Sequence, residues 1–300
     1  MKTSEWTHAM LAQAGLDPDS VDDLVQRAVE EDLAGGVDVT SVATVPPDQQ
    51  GVARVIARGR GVVAGLPVAV AVLDAVTEGV VEIDVQVDDG DLVAAGDVLI
   101  VATALTRQLL TAERTMLNLL CRLSGIATLT RQWADELEGT GVAVRDTRKT
   151  TPGLRALEKY AVRCGGGLNH RMSLSDAALV KDNHVVAAGG VAAAFDAVRS
   201  QFPDLAVEVE CDTVEQVAQA VAAGADLVLL DNMNLDQLRA AVRATAGRAT
   251  LEASGGLTLA TARAVAATGV DYIAVGALTH SAPILDIGVD LELRRSGRAG

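Results

Sequence analysis

Aromatic side chains are nearly absent. Two Phe, two Tyr and two Trp make up 2% of a 300-residue chain. The core must therefore be built from Ala, Val and Leu, and a platform for stacking nucleic-acid bases is excluded. Positive charge is also scarce: 25 Lys and Arg stand against 40 Asp and Glu, a net −15. That balance disfavours bulk contact with nucleic acid or an anionic membrane. The three cysteines, Cys121, Cys164 and Cys211, are odd in number, far apart and without a CxxC pair. Free, buried thiols in a reducing compartment are expected. No run of 18 apolar residues occurs; the most apolar stretch, Gly61 to Val76, is interrupted by Pro67 and Asp74. No apolar segment follows the first residues either, so the chain reads as cytoplasmic. The GxxxxGK phosphate loop, the GxGxxG dinucleotide turn, the HExxH zinc helix and the GxSxG serine elbow are all missing.

Two textures are present, as a length of one large or two modest domains allows. Up to about Asp89 the pattern favours strands and short helices. A helix is expected over Asp22–Leu33, and strands over Val52–Ala57, Val81–Val87 and Val98–Ala102. The Asp88–Asp91 turn has the spacing of a lipoyl or biotinyl carrier hairpin. Such a carrier needs a lysine at its tip, and none lies between Lys2 and Lys149; a structural sandwich is expected instead. A long amphipathic helix should run from Thr106 to about Cys121. After Gly141, strands and helices alternate. The strand candidates are Val142–Arg145, Ala177–Val180, Leu205–Val209, Leu227–Leu230, Ala249–Glu252 and Tyr272–Val275. Thr213 and Thr258 are expected N-caps, with Gly224, Gly247 and Gly269 as helix stops. About six βα units imply a parallel sheet closing towards a barrel. The alternating stretch Ile287–Leu293 is expected to return to the first domain.

In such a barrel the chemistry gathers where strands end. The residues there are Asp146-Thr147-Arg148-Lys149-Thr150-Thr151, then Lys181-Asp182-Asn183-His184, then Glu210, Asp231-Asn232, Ser254-Gly255-Gly256 and Gly276. Between Arg145 and His184, eight Lys or Arg face four Asp or Glu, a basic island in an acidic chain. Only 4 of the 25 basic residues are Lys, yet Lys149, Lys159 and Lys181 fall inside it. A lysine kept where arginine is preferred points to a need for a compact ammonium. Lys149 and Lys181, at strand ends, are read as functional. Lys159 is read as a solvated helix charge that should tolerate Arg. His170, beside Arg171, and His280 sit where an anion pocket would lie. Ser254-Gly255-Gly256 and Gly276-Ala277 suit backbone N–H contacts to a phosphate. Glu210 and Asp231 fit Mg²⁺, ribose hydroxyls or salt bridges to the island.

The run Asp146-Thr147-Arg148-Lys149-Thr150-Thr151-Pro152-Gly153-Leu154-Arg155 strongly resembles the signature of the quinolinate phosphoribosyltransferases. So do Gly165-Gly166-Gly167-Leu168-Asn169-His170-Arg171, Lys181-Asp182-Asn183-His184, Arg114-Thr115-Met116-Leu117-Asn118, Leu230-Asp231-Asn232-Met233 and Glu252-Ala253-Ser254-Gly255-Gly256. Gly35-Gly36-Val37-Asp38-Val39-Thr40 carries one residue more than the family usually has there. The resemblance implies an α/β fold: an N-terminal α/β sandwich domain (1–125 plus the tail 285–300), then an incomplete TIM-like barrel of about six or seven parallel strands (126–284). It implies a homodimer, or a trimer of such dimers. The implied reaction joins quinolinate to 5-phosphoribosyl 1-pyrophosphate with Mg²⁺, giving nicotinate mononucleotide, pyrophosphate and CO₂ in NAD synthesis.

By the same resemblance Arg148, His170, Arg171 and Lys181 would meet the quinolinate carboxylates, and Lys149 the pyrophosphate. Glu210 and Asp231 would serve the ribose hydroxyls and Mg²⁺, directly or through water. Ser254, Gly255, Gly256, Gly276 and His280 would hold the 5′-phosphate, with Thr147, Val275 and Ala277 as further substrate contacts. Arg114 would be donated across the dimer. Three rivals stay open at this point: a nicotinate phosphoribosyltransferase, a Schiff-base aldolase using Lys181, and a non-catalytic phosphosugar sensor.

Overall fold

The computed structural model of the chain describes residues 2–294, so residues 295–300 of the expected tail lie outside it. The chain divides into two compact units. One comprises Met1–Leu129, Ala156–Gly165 and Ala282–Gly300; the other comprises Thr130–Arg155 and Gly166–Ser281.

The first unit opens with α1 (Glu5–Gln13), α2 (Pro18–Leu33) and α3 (Val39–Thr44). α2 begins four residues before the expected Asp22. The Asp17 carboxylate caps it by accepting from Ser20 N at 3.2 Å, and Pro18 suits the first turn, where no N–H is needed. Val21, Val25 and Val29 form its buried stripe. Then come β1 (Gln50–Ala57), β2 (Gly61–Val62), α4 (Leu66–Val76), β3 (Glu82–Val85), β4 (Leu92–Val93) and β5 (Val98–Leu105). Every residue of α4 from Leu66 to Ala75 is buried, as befits a helix apolar almost all round, and its one carboxylate, Asp74, accepts from Ser4 N at 2.6 Å and Thr7 Oγ1 at 2.7 Å. α5 (Thr106–Leu137) is 32 residues long and continues well past the expected Cys121. Its Gly125 is not a stop. A Cβ there would lie 2.1 Å from Pro283 O, so the helix passes too close to the 282–285 segment for any side chain. The sheet order is β12-β1-β5-β3, where β12 (Ile287–Leu293) pairs antiparallel with β1 over Gly51–Ala57. The tail therefore returns as its alternation suggested.

The second unit holds β6 (Ala143–Arg145), β7 (Ala178–Val180), α7 (Asp182–Ala188), α8 (Val191–Gln201), β8 (Val207–Cys211), α9 (Val214–Ala222), β9 (Leu227–Asp231), α10 (Leu235–Thr245), β10 (Thr250–Ser254), α11 (Leu259–Ala266), β11 (Tyr272–Ala274) and α12 (Ala277–His280). The six strands form one parallel sheet in the order β6-β11-β10-β9-β8-β7. β6 and β7 are its two ends, and Leu168 makes one parallel bridge to Arg145 at the β6 end. This is an incomplete α/β barrel. Thr213 caps α9 reciprocally with Gln216, the device that fixes a helix start after a strand.

α6 (Arg155–Cys164) interrupts the barrel sequence and, beyond Arg155, belongs to the first unit. It corrects the reading of Lys159. That side chain is 0% exposed, not solvated. Leu157 to Val162 are all buried, so no face of this stretch of helix is left for a surface charge.

Candidate active site

The segment after β6 is held by a buried carboxylate. Asp146, 0% exposed, accepts from Asn169 Nδ2 at 2.6 Å and from His170 N at 2.8 Å. This ties the Thr147–Thr151 stretch to the 169–171 stretch, so cations from both emerge together. Thr147 Oγ1 accepts from Lys149 N at 3.0 Å, and Thr279 Oγ1 donates to Lys149 O at 2.8 Å. Arg155 fastens the same stretch, from Nε to Thr150 Oγ1 at 3.0 Å and from Nη1 to Met172 O at 3.1 Å. Arg171 is aimed by a bond from Nη1 to Ala177 O at 2.9 Å.

A cavity of about 330 Å³ opens among these groups. Its lining includes Thr147, Arg148, Lys149, His170, Arg171, Lys181, Glu210, Asp231 and Ser254, all expected, together with Leu179, Leu229, Glu252 and Ala274. Arg148 Nε is buried there without a hydrogen-bond partner. Burial first, and then the Arg148 guanidinium, lowers the pKa of Arg171. An Arg171 whose charge is disfavoured by burial and by the neighbouring Arg148, beside the orphaned donor of Arg148, forms a site suited to an anion. Lys181 Nζ is ion-paired with Glu210, so the salt bridge considered for the acids exists at Glu210. Asp231 Oδ2 accepts from Asn232 Nδ2 at 2.6 Å. A larger hollow of about 480 Å³ lies beside β7, but its walls are mostly Ala, Val and Leu, and it gathers no comparable set of cations.

Gly255, Gly256, Val275, Gly276, Ala277 and His280 are not on the cavity wall; Gly255 and Gly256 follow β10, Val275 and Gly276 follow β11, and Ala277 and His280 belong to α12. Gly276 packs close to two other expected residues, since a Cβ would lie 2.9 Å from Lys149 Cδ and 3.3 Å from His280 Nε2. Arg114 is exposed on α5 and belongs to the first unit.

Further residues, several of them inside the motifs above but without a role assigned from sequence, hold the others in place. Asp146, Asn169, Thr279 and Asn232 act through hydrogen bonds, and Arg145, Glu208 and Glu252 form a charged group beside His170. His170 itself differs from a simple carboxylate ligand. Its Nδ1 accepts from Arg171 N at 2.7 Å, and its Nε2 lies 2.7 Å from Glu208 Oε2. Alternation along β8 and β10 was the available signal, because Glu208 and Glu252 occupy positions where a strand of a parallel sheet should be apolar.

The model of the quinolinate phosphoribosyl transferase C-terminal domain matches residues 126–290, and that of its N-terminal domain matches 38–124. The chain belongs to the quinolinate phosphoribosyltransferase family. It is 51% identical over 278 residues to the nicotinate-nucleotide pyrophosphorylase [carboxylating] of Mycobacterium leprae, covering 91% of this chain and 98% of that one. It is 42% identical over 264 residues to the probable enzyme of that name from Bacillus subtilis, covering 88% and 90%. The solved structure of NadC from Streptococcus pyogenes superposes with a TM-score of 0.89 at 39% identity, covering 93% of this chain and 99% of that one. The family pattern runs through both units of the chain, and the residues lining the cationic cavity come from its C-terminal part.

Proposed function

We infer that this chain transfers the phosphoribosyl group of 5-phosphoribosyl 1-pyrophosphate to quinolinate and decarboxylates the product, giving nicotinate mononucleotide, pyrophosphate and CO₂ for NAD synthesis. The observation that carries this is the convergence of Arg148, Lys149, Arg171 and Lys181 on one cavity, with Arg148 Nε unpartnered. A dianionic ring acid and a triply phosphorylated sugar both need local cations, whatever the charge of the rest of the chain.

Arg148, Arg171 and Lys181 engage the two carboxylates and orient the ring nitrogen towards the ribose. His170 lines the cavity, and its ring holds the Arg171 backbone. Lys149 meets the pyrophosphate, which leaves as the C1′–O bond breaks. Glu210 and Asp231 face the electron-poor ribose and stabilise its positive charge. The ring nitrogen then bonds to C1′ and becomes cationic. That charge holds the electron pair left on C2 when the adjacent carboxylate departs as CO₂, and C2 takes a proton in exchange. Ser254, Gly255, Gly256, Gly276 and His280 hold the 5′-phosphate, with Thr147, Val275 and Ala277 beside them.

Two carboxylates at neighbouring strand ends are the hard oxygen donors that suit Mg²⁺, an ion that keeps most of its water and takes phosphate oxygens. Glu210 and Asp231 would hold it, and when bound it neutralises charge on the departing pyrophosphate. For the assembly we infer a homodimer, with Arg114 serving the partner subunit's site, or a trimer of such dimers. For location we infer the cytoplasm. Among the described residues no helix is long and apolar enough to cross a membrane, and all three thiols are free. The test is purified protein with 5-phosphoribosyl 1-pyrophosphate and Mg²⁺. Quinolinate should release pyrophosphate and CO₂ in equal amounts; pyrophosphate without CO₂ would contradict the decarboxylating reaction.

A further inference from the structure

Against the cationic cavity lies a group of charges that the proposed reaction does not use. Glu208 on β8 and Glu252 on β10 are 3% and 0% exposed. One carboxylate oxygen of each and a ring nitrogen of His170 lie within 4.8 Å of one another. Glu208 Oε1 and Glu252 Oε1 are buried with no hydrogen-bond partner. Arg145 from β6 pairs its Nη1 with Glu252 Oε2 at 2.6 Å, and His170 Nε2 stands 3.5 Å from Glu252 Oε1. Beside Glu252, β11 places Tyr272, whose ring carries the Arg145 guanidinium 4.9 Å from its centroid. β9 places the uncharged Leu229 there.

Two orphaned oxygens call for a cation or a proton. A metal ion would need the lone pair of His170 Nε2. The Arg171 N–H already donates to Nδ1, so the ring proton sits on Nε2, where it faces Glu208. That nitrogen has no lone pair to give. Arg145 pairs with Glu252 and the charge of Arg171 reaches Glu208, yet the two buried carboxylates still repel each other, which is costly away from water. A proton removes that repulsion and supplies the missing donor.

We propose that Glu252 holds this proton in the resting protein and that quinolinate binding is coupled to it, the dianion binding tightly only while Glu252 is neutral. This rests on the cavity being the quinolinate site, as inferred above. Burial, and then the charge of Glu208, push the Glu252 carboxyl up from 4.5 to about 7. A bound dianion pushes it higher, so binding takes up a proton. Affinity is then greatest below about pH 7. It falls by up to about tenfold per pH unit above that, until the bound-state value is passed.

The test uses the intact protein, its Glu252→Gln variant and its Glu208→Gln variant. An infrared carbonyl band of a buried neutral carboxyl should be present in the parent near neutral pH and absent in Glu252→Gln. Calorimetry of quinolinate binding in buffers of different ionisation enthalpy should show proton uptake in the parent. Glu252→Gln should show none and keep one affinity from pH 6 to 8. Glu208→Gln, which removes the neighbouring charge, should move the uptake to lower pH. Stability gives a further readout. Folded Glu252 keeps its proton where an unfolded glutamate has lost it, so the parent's melting temperature should fall as pH rises from about 4.5 to about 7, and that of Glu252→Gln should fall less. A missing carbonyl band overturns the proton. Binding without uptake, or uptake unchanged in Glu252→Gln, overturns the coupling. The band with no quinolinate binding at all defeats the quinolinate reading and the coupling, while the buried proton stands.

Discussion

At the scale of single residues, the three lysines of the basic island have different surroundings. Lys181 is bonded to Glu210, Lys149 is held by its backbone beside Gly276, and Lys159 is sealed in the core. Arginine keeps the charge but replaces a compact ammonium with a planar fork. Lys149→Arg and Lys181→Arg should therefore each lower kcat/KM by roughly ten- to a hundredfold, the worth of about 1.5–3 kcal/mol for a charge-assisted contact, with little change in melting temperature. Lys159→Arg should do the reverse. A larger cation forced into a packed site costs about 1–3 kcal/mol, which would appear as a melting temperature several degrees lower. Steady-state kinetics and thermal melts on the three variants check this; identical behaviour of all three would show that surroundings do not decide the outcome. The scarcity of lysine made all three visible in the sequence. Burial of Lys159 was not visible, because a helix with a charge every few residues looks solvated until its neighbours are known.

At the scale of elements, the βα alternation of the second unit was legible, and each expected strand is present within about two residues. The first unit was harder to read. α5 continues past the expected Cys121 and through Gly125, where the approach of Pro283 O leaves no room for a side chain. The strand ends announced Arg148, Lys149, Lys181, Glu210 and Asp231. They did not announce the holding roles of Asp146, Asn169 and Thr279, which depend on contacts across 23 to 130 positions of sequence. The turn after β10 gives an element-scale prediction. Asn232 is left-handed, with φ of 53°, and orients Asp231. Gly255 faces it so closely that a Cβ would lie 2.1 Å from Asn232 Oδ1, and its own φ is +89°. Gly255→Ala must displace Asn232 and with it the Asp231 carboxylate. It should raise the KM for 5-phosphoribosyl 1-pyrophosphate at least several-fold. Gly256→Ala meets nothing within 4 Å and carries only the strain of φ +62°, about 1 kcal/mol of stability. Equal kinetic damage from both would argue against the Asn232 contact.

At the scale of the whole molecule, Arg114 is the one expected site residue contributed by the first unit. Its proposed place in the partner's site can be tested by mixing. Arg114→Ala and Lys181→Ala homodimers should both be nearly inactive. In a mixed dimer one site keeps both intact residues and the other carries both defects. Random exchange makes about half of the dimers mixed, each with one working site in two, so about a quarter of the parental activity should return. If Arg114 serves its own chain, every site stays defective and no activity returns after subunit exchange has been confirmed.

The central claim is that the cavity reads two carboxylates rather than one. Kinetics with quinolinate and with nicotinate, under the same 5-phosphoribosyl 1-pyrophosphate and Mg²⁺, test it most directly. Loss of one charge-assisted contact in this pocket should make kcat/KM for nicotinate roughly ten- to a hundredfold lower than for quinolinate. Comparable turnover of the two acids would contradict the two-carboxylate site and return Arg148, Arg171 and Lys181 to a less selective anion pocket.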